Sequence, residues 1–482
     1  MRGSGNLLRT TKTGENVDLH EYSRYDAVGL RELIEAGEVT AVEVETVARE
    51  AIEAANAVVN GLALPVFSPA LDHDPDGPFG GVPFLIKDSG PMAAGVEFTI
   101  GSRSLRGVRA PHDTDLMRRF RAAGLVTLGS TTVPELCLSF ATEPVSTGPT
   151  RNPWDPARGV GGSSGGAAAM VAAGAVPVAH ANDSAGSTRI PAAACGLVGL
   201  KPSRGRTPCG PDSGDPAFGG VGDFVVTRTV RDTARLLDVV QGPGVGDKYT
   251  APPPLRPYAD ELVANPGRLR IGVTTRPWSG VPVDAEVVEV TNRVATLLSD
   301  LGHDVTEAAP RLGWEDVVLA CRSEGFAISA PFLTAPRRPD PARLEAVSRQ
   351  ILAESEELRA LDLLAMLDAQ NRVSRAVGPF FTDHDLFVTP TLGELPPPHG
   401  TLSSDEPGHT VDSWLRKLFA HGPFTVVFNL TGQPALSLPL GQSASGLPIG
   451  VQFVAPYGRE DTLIRVAALL EQALPWRDRR PL

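Results

Sequence analysis

Two glycine-rich segments of the sequence carry serines in settings that favour nucleophilic chemistry. They are 161–166, which contains Ser163, and 183–189, which contains Ser187, 187 − 163 = 24 residues further along. A serine hydroxyl is a poor nucleophile until a neighbouring base accepts its proton. None of the nine histidines lies in a comparable motif, and we interpret the nearest one, His180, as a residue that orders the loop.

Lys87 is the candidate base. It ends a short apolar segment bounded by turn residues, 82–87, which predicts a buried strand. Burial lowers a lysine pKa from its ordinary value of about 10.4, and Ser–Lys pairs are a known variant of the catalytic triad. The small residues Ser184, Ala185 and Gly186 would let consecutive backbone N–H groups converge on a developing oxyanion, at roughly 3–4 kcal/mol per donor. These residues predict acyl-transfer chemistry with a lysine base.

Other interpretations of these residues are weaker. Residues 161–165 also fit the G-x-S-x-G nucleophile elbow, but that motif directly follows a strand, whereas 151–160 predicts a polar loop interrupted by proline. A phosphate cradle is disfavoured, because the chain has no G-x-x-x-x-G-K-[ST] and no complete G-x-G-x-x-G after a strand. Taken alone, Lys87 would be interpreted as a surface lysine at the end of a strand. It becomes a candidate base because the same chain also carries the two serine segments.

The composition narrows the classes of partner. The 482 residues include 44 Lys+Arg and 56 Asp+Glu, a net charge of −12, so the chain lacks the basic field that nucleic acid or an anionic membrane requires. The four cysteines stand singly, which indicates neither a zinc site nor a disulfide scaffold, and we predict no bound metal. Because neither a secretory signal nor a membrane-spanning apolar run is visible, we expect a cytoplasmic protein. We expect neither nucleic acid nor a membrane as a partner, and a homodimer is left open.

The elements that must position the candidate residues alternate between helical and extended patterns, which predicts an α/β protein. Helices are predicted over 25–59, where Thr40 and Glu43 form a capping-box pattern. The Gly/Pro-rich segment 241–267 is the best candidate for a linker, yet the strands on its two sides could belong to one sheet. The other predicted elements are a helix at 115–123, strands at 125–128 and 269–273, a helix at 284–298, a mainly helical stretch at 314–367 interrupted by prolines at 331–341, a strand at 385–388 stopped by Pro390, strands at 435–438 and 449–454, and a helix at 461–474.

Several motifs in a fixed order resemble those of the amidase signature family, the Ser–cisSer–Lys amide hydrolases. They are Lys87-Asp88, the Gly-Gly-Ser-Ser-Gly-Gly segment at 161–166, the segment 183–191, and Gly-Leu-Lys-Pro at 199–202; 148–156 and 424–461 also match. The resemblance implies one large α/β/α domain with a mixed, twisted central sheet flanked by helices. It also implies an N-terminal extension at 1–24, an amidase domain at 25–482, a catalytic core at about 76–215 and a variable helical substrate region at about 310–380.

The same resemblance implies a role for each candidate residue. Ser187 is expected to be the nucleophile that forms the acyl-enzyme, and Ser163, preceded by a cis peptide bond, is expected to bridge it to a neutral Lys87. Asp183 and Arg189 are expected to support the nucleophile loop. The implied activity is hydrolysis of a carboxylic amide of a small molecule, with no metal and no cofactor.

The chain departs from the family pattern at the nucleophile loop. Ala185 replaces the usual first glycine, and Ser184 replaces a threonine or isoleucine. Together with 180–183, this variant resembles the branch that contains 6-aminohexanoate cyclic dimer hydrolases, which implies a linear or cyclic amide substrate and places Cys321 in the acyl pocket. The rival within the family is the glutaminase subunit of tRNA-dependent amidotransferases, which usually carries Gln where this chain has Ile190. Acyl transfer to an amine and ester hydrolysis remain alternatives on the same scaffold.

Overall fold

The strands follow the apolar segments that the sequence marks between turns. The computed structural model describes residues 18–335 and 338–481. Within these ranges the strands are β1 (Pro83–Lys87), β2 (Val126–Thr131), β3 (Arg151–Asn152), β4 (Asp155–Gly159), β5 (Val178–Asp183), β6 (Val198–Lys201), β7 (Gly222–Thr227), β8 (Arg270–Val273), β9 (Asp304–Glu307), β10 (Leu386–Pro390), β11 (Ala435–Gln442) and β12 (Pro448–Val454).

The helices occupy the amphipathic segments between these strands. They are α1 (Leu19–Tyr22), α2 (Ala27–Glu35), α3 (Ala41–Val59), α4 (Asp115–Ala122), α5 (Gly165–Ala172), α6 (Arg189–Cys195), α7 (Val230–Val240), α8 (Tyr258–Glu261), α9 (Ala285–Asp300), α10 (Trp314–Thr334), α11 (Ala346–Glu356), α12 (Ala360–Val377), α13 (Phe380–Asp383), α14 (Val411–His421), α15 (Val427–Thr431) and α16 (Glu460–Ala473). The capping box predicted for α3 is confirmed: the Glu43 N–H donates to the Thr40 hydroxyl, and the Glu43 carboxylate accepts from the Thr40 N–H at 2.7 Å.

Ten of the strands form one mixed sheet, in the order β2-β1-β5-β7-β6-β11-β12-β10-β8-β9. The pairs at the two ends of the sheet are parallel, and those in the middle are antiparallel. The segment 241–267 lies between α7 and β8, and the strands on its two sides, β7 and β8, belong to the same sheet. The predicted fold class, a large mixed sheet flanked by helices, is confirmed.

Successive residues of β1 pack into different layers, as the two-residue period of a strand requires. Phe84 and Ile86 join a core cluster that includes Phe120 of α4, whereas Leu85 joins a second cluster with Val47 of α3 and Ala168 of α5. Helices therefore cover both faces of this part of the sheet. A third cluster lies among α6 and the helices from α10 to α15.

The pairing of β1 with β5 positions the candidate residues. These strands run parallel, with Phe84 opposite Val178 and Leu85 opposite Ala179. The carboxyl ends of parallel strands meet at the same edge of a sheet, and in open α/β sheets ligands bind there. Lys87 is the last residue of β1 and Asp183 the last of β5, so the two strands deliver these side chains to one edge.

One local prediction was wrong, and two predictions about prolines are confirmed. Residues 151–160 are not a loop: β3 and β4 pair into a two-stranded antiparallel sheet, held by ladder hydrogen bonds and by the Asn152 amide, which donates to Gly159 O at 3.1 Å. The predicted interruption by prolines is present: α10 continues past Pro331 but ends at Thr334, and the next helix, α11, begins at Ala346. The strand predicted to stop at Pro390 does end there, since a proline at a strand end lacks only the N–H donor that the ladder no longer needs.

The domain boundaries stay predictions. Residues 1–17 of the expected N-terminal extension lie outside the described residues, and α1 occupies part of the remainder. In the described part of the chain α10 alone is long and apolar enough to cross a membrane, with 39% of its apolar window buried. A single helix of this kind is weak evidence for a membrane span, because core helices pass the same test.

Candidate active site

Lys87 is fully buried at the end of β1. Its Nζ donates to Ser163 Oγ at 2.7 Å and to Asn182 Oδ1 at 2.5 Å. Burial lowers the pKa of Lys87 below its ordinary value of 10.5, against the opposing influence of Cys137, Asp223 and Asp183. This setting favours the neutral form of the lysine, whose nitrogen carries a lone pair. A general base requires such a lone pair to accept a proton.

Ser163 lies in the glycine-rich loop that enters α5. The peptide bond between Gly162 and Ser163 is cis, as the resemblance implies. The Ser163 side chain is buried, and its hydroxyl contacts the Lys87 side-chain nitrogen. The next residue, Ser164, donates its backbone N–H to Ser187 O at 3.1 Å. This bond sets the two serine loops side by side.

Ser187 lies in the loop between β5 and α6. Its residue is 4% exposed, and it lines an internal cavity. The loop is held by two bonds: the Ile190 N–H donates to Gly186 O at 2.7 Å, and the Thr425 hydroxyl donates to Ala185 O at 2.6 Å. The Ser187 hydroxyl is thus presented to the cavity by a backbone that is fixed on both sides.

A buried ion pair supports this loop from behind. Arg189 donates to both carboxylate oxygens of Asp183 at 2.8 Å, and both side chains are fully buried. Burial opposes ionisation of Asp183, but the charge and hydrogen bonds of Arg189 hold its pKa well below the usual range. The ionised carboxylate also accepts the N–H of Gly186 at 2.7 Å and that of Thr188 at 3.2 Å. Asp183 and Arg189 therefore lie where the resemblance implies supporting residues.

The backbone donors of the expected oxyanion hole differ from the prediction at one position. The N–H of Gly186 is engaged by Asp183, so it is not free to bind a second acceptor. The N–H groups of Ser184 and Ala185 donate to no acceptor in the described part of the chain. Ala185 keeps a negative φ, in agreement with the requirement that an alanine at this position avoid the left-handed region. Two of the three predicted donors remain available.

The cavity beside Ser187 encloses about 50 Å³. Its lining combines the nucleophile loop with the helices α10, α11 and α14, and it includes Cys321, the predicted acyl-pocket residue. The predicted nucleophile and the predicted acyl-pocket residue thus line the same cavity.

The structure brings together Lys87, Ser163, Ser187 and the loop 183–189, and it adds residues that sequence reasoning missed. Asn182 accepts from Lys87 and was quoted only as part of a variant segment; its position one residue before the end of a strand parallel to β1 was a usable signal. Asn429, which donates to Asp183 Oδ1 at 2.9 Å, lies in the matching segment 424–461, but no feature of that segment singled it out.

The interpretation of His180 was wrong. The ring is buried in β5, and its Nε2 lies 3.2 Å from Asp223 of β7, so it pairs across the sheet rather than ordering the serine loop. Burial lowers its pKa, with Asp223 opposing that effect. Among the described residues no group of three His, Cys, Asp or Glu side chains is arranged to hold a metal ion.

Comparison with known proteins agrees with this geometry. The amidase family model matches residues 23–464. The chain is 40% identical to a 6-aminohexanoate-cyclic-dimer hydrolase of Pseudomonas sp. (strain NK87) over 479 residues, which cover 95% of this chain and 96% of that protein. It is also 40% identical over 482 residues to the enzyme of the same name from Paenarthrobacter ureafaciens, with coverage of 95% and 96%.

Solved structures give the same result. A structure of 6-aminohexanoate cyclic dimer hydrolase superimposes with a TM-score of 0.88 at 38% identity, covering 96% of this chain and 99% of that one. A glutamyl-tRNA(Gln) amidotransferase subunit from Thermotoga maritima is less similar, with 25% identity, a TM-score of 0.74 and coverage of 95% of each chain. The predicted family and an amide-hydrolysing enzyme are thereby confirmed, and none of the alternative activities is favoured. The chain belongs to the amidase family.

Proposed function

We propose that the chain hydrolyses a carboxylic amide through an acyl-enzyme on Ser187, with Ser163 and Lys87 as the proton relay. The observation that carries this proposal is the 2.7 Å hydrogen bond between Lys87 Nζ and Ser163 Oγ, beside a Ser187 that lines the cavity. Lys87, neutral in the resting enzyme, accepts the Ser187 proton through Ser163. The Ser187 oxygen attacks the amide carbonyl, and the oxyanion forms beside the N–H groups of Ser184 and Ala185.

Collapse of the tetrahedral intermediate breaks the C–N bond, and Ser163 returns the proton to the leaving amine. Water then attacks the ester of Ser187, and its proton passes to Lys87 by the same relay. When the ester C–O bond breaks, Lys87 returns this proton through Ser163 to the Ser187 oxygen, and the carboxylic acid leaves. Nucleophile, relay and base are all side chains of this chain, so the proposed steps use no metal and no cofactor.

For the substrate we propose an amide with an aliphatic acyl chain, such as the 6-aminohexanoate cyclic dimer. The relatives that share 40% identity are named for that compound. The lining of the cavity supports the choice, because Phe140, Ile351, Trp414 and Leu418 offer apolar surface to methylene groups.

Mass spectrometry of the intact protein tests the proposal. With 6-aminohexanoate cyclic dimer, rapid acid quenching is expected to trap an adduct of the full substrate mass, because ring opening leaves the amine tethered to the acyl group. Ser187→Ala is expected to form no adduct and to lose turnover, whereas Ser445→Ala, which removes an exposed serine between β11 and β12, is expected to behave as wild type. Turnover retained by Ser187→Ala would falsify the mechanism. Product analysis with added amines separates hydrolysis from acyl transfer.

A further inference from the structure

Among the described residues, a single carboxyl group lines the cavity beside the nucleophile loop. Glu324 lies on α10, one turn after Cys321, and shares the lining with Ser184 and Ser187. The residue is 8% exposed, and its Oε1 has no hydrogen-bond partner in the described part of the chain. Leaving a buried polar group unpaired is unfavourable, more so when it is charged. Because Glu324 also lines the cavity, its carboxyl group is a candidate partner for a polar group on the ligand.

Two other polar side chains of the lining, away from the nucleophile loop, already have partners. The Ser139 hydroxyl donates to Leu402 O at 2.8 Å, and Trp414 Nε1 donates to Leu138 O at 2.7 Å. The remaining lining is mainly apolar. Glu324 is therefore the strongest hydrogen-bonding group that this cavity offers to an acyl chain, apart from the catalytic groups at its mouth.

The surroundings of Glu324 favour the neutral acid. Burial raises the pKa of its carboxyl well above the ordinary value of 4.5, and the negative charge of Asp183 raises it further. Cys321, on the same helix, is also buried, and the pKa of its thiol is raised well above 9.0 for the same reason and by the presence of Glu324. A neutral carboxyl carries one O–H donor and one carbonyl acceptor.

We propose that Glu324 recognises a second amide in the acyl part of the substrate, donating its O–H to the amide carbonyl and accepting the amide N–H. A neutral carboxyl group and a cis amide can form two hydrogen bonds, because the donor of each faces the acceptor of the other. With a trans amide the carboxyl group can still form one of these hydrogen bonds. The apolar lining on either side of Glu324 then accommodates methylene segments. This inference rests on the proposed function, since it assigns the acyl chain to this cavity.

An ammonium group on the acyl chain fits the same place less well. A buried cation needs an ionised partner to offset its lost hydration, and the neighbouring negative charge of Asp183 is already paired with Arg189. Replacing Glu324 by glutamine therefore separates the two ligand chemistries. The glutamine side chain still recognises a second amide on the substrate, but it does not recognise an ammonium group.

The experiment compares two rings of equal size, the 6-aminohexanoate cyclic dimer and a lactam in which methylenes replace one amide. The quantity measured is the ratio of kcat/KM for the diamide to kcat/KM for the monoamide. Glu324→Met is expected to lower this ratio about 5- to 160-fold, the span that 1–3 kcal/mol of buried hydrogen bonding converts to at 1.36 kcal/mol per factor of ten. Glu324→Gln retains one donor and one acceptor and is expected to keep most of the wild-type ratio.

A matched control is Ser329→Ala, which removes another buried, unpartnered polar group from α10 outside the cavity lining. Its ratio is expected to equal that of the wild type. The inference is overturned if Glu324→Met keeps the wild-type ratio, or if Glu324→Gln loses as much as Glu324→Met. Should Glu324→Met fail to fold, Glu324→Ala is measured in its place. A wild-type enzyme whose kcat/KM is no higher for the diamide than for the monoamide also overturns the inference. If neither ring forms an adduct on Ser187, the result refutes the proposed function instead.

Discussion

Replacement of Arg189 by methionine probes the support of the nucleophile loop. The guanidinium uses all five of its N–H groups. Two go to Asp183, at 2.8 Å each; the others go to Thr425 O at 2.8 Å, Gln452 Oε1 at 2.7 Å and Asn429 Oδ1 at 2.6 Å. Methionine fills similar space but makes none of these bonds, so the carboxylate of Asp183 is left buried and unpaired.

The expected loss of stability follows from that burial. Breaking a fully buried ion pair by removing one partner costs about 3–5 kcal/mol, because the remaining buried charge loses its counter-ion. With an unfolding entropy of about 2.1 cal/mol/K per residue, a chain of 482 residues has an entropy of unfolding of roughly 1 kcal/mol/K. The melting temperature of Arg189→Met is therefore expected to fall by about 3–5 °C.

The assay is thermal unfolding followed by circular dichroism, together with kcat at a temperature well below the transition. Arg372→Met is the matched control, since it breaks an ion pair with Asp316 in which the arginine side chain is 52% exposed. That variant is expected to melt with the wild type. The double variant Asp183→Asn/Arg189→Met is expected to melt above Arg189→Met, because the unpaired charge is gone. If Arg189→Met and Arg372→Met have the same melting temperature, the reasoning from burial is refuted.

Two further predictions concern the loop and the base. Gly186 has a φ of 135°, and a Cβ there would lie 2.5 Å from Thr425 Oγ1. Gly186→Ala is therefore expected to displace the loop and to lower kcat about 100-fold. Gly214→Ala, where a Cβ meets no atom within 4 Å, is the control and is expected to keep the wild-type kcat. Because burial lowers the pKa of Lys87, its base form is populated at lower pH than in a free lysine, and kcat/KM should rise with pH along a limb whose midpoint lies below 10.5. A midpoint at or above that value contradicts a neutral buried lysine.

The sequence was informative where chemistry and local pattern coincide. The apolar segment before Lys87 predicted the strand that ends there, and glycine-rich spacing marked the loops of Ser163 and Ser187. These features are local, because a strand end and a tight loop depend on few neighbouring residues. The parallel register of β1 and β5, which makes their ends meet, is a long-range property that no segment carries alone.

Other parts of the site could not be predicted for the same reason. Glu324 lies in the stretch expected to form the helical substrate region, but nothing in the local pattern singled it out, and its position beside Ser187 depends on how α10 packs against the loop after β5. Asn429 and Gln452 reach Asp183 and Arg189 from segments more than 200 residues away. The wrong interpretation of 151–160 arose because two short paired strands leave no hydrophobic alternation to detect.

The division of the molecule into a sheet edge and a helical wall has a consequence for specificity. The edge holds Lys87 and the ion pair of Asp183 with Arg189 in hydrogen bonds that fix their geometry, so a substitution there alters the chemical step for every substrate. The wall formed by α10, α11 and α14 lines the cavity and holds none of the proposed relay residues, so a substitution on its cavity face changes which acyl chain fits. Changes along the cavity face of α10 should therefore shift the ratio of kcat/KM between substrates while formation of the acyl-enzyme on Ser187 persists.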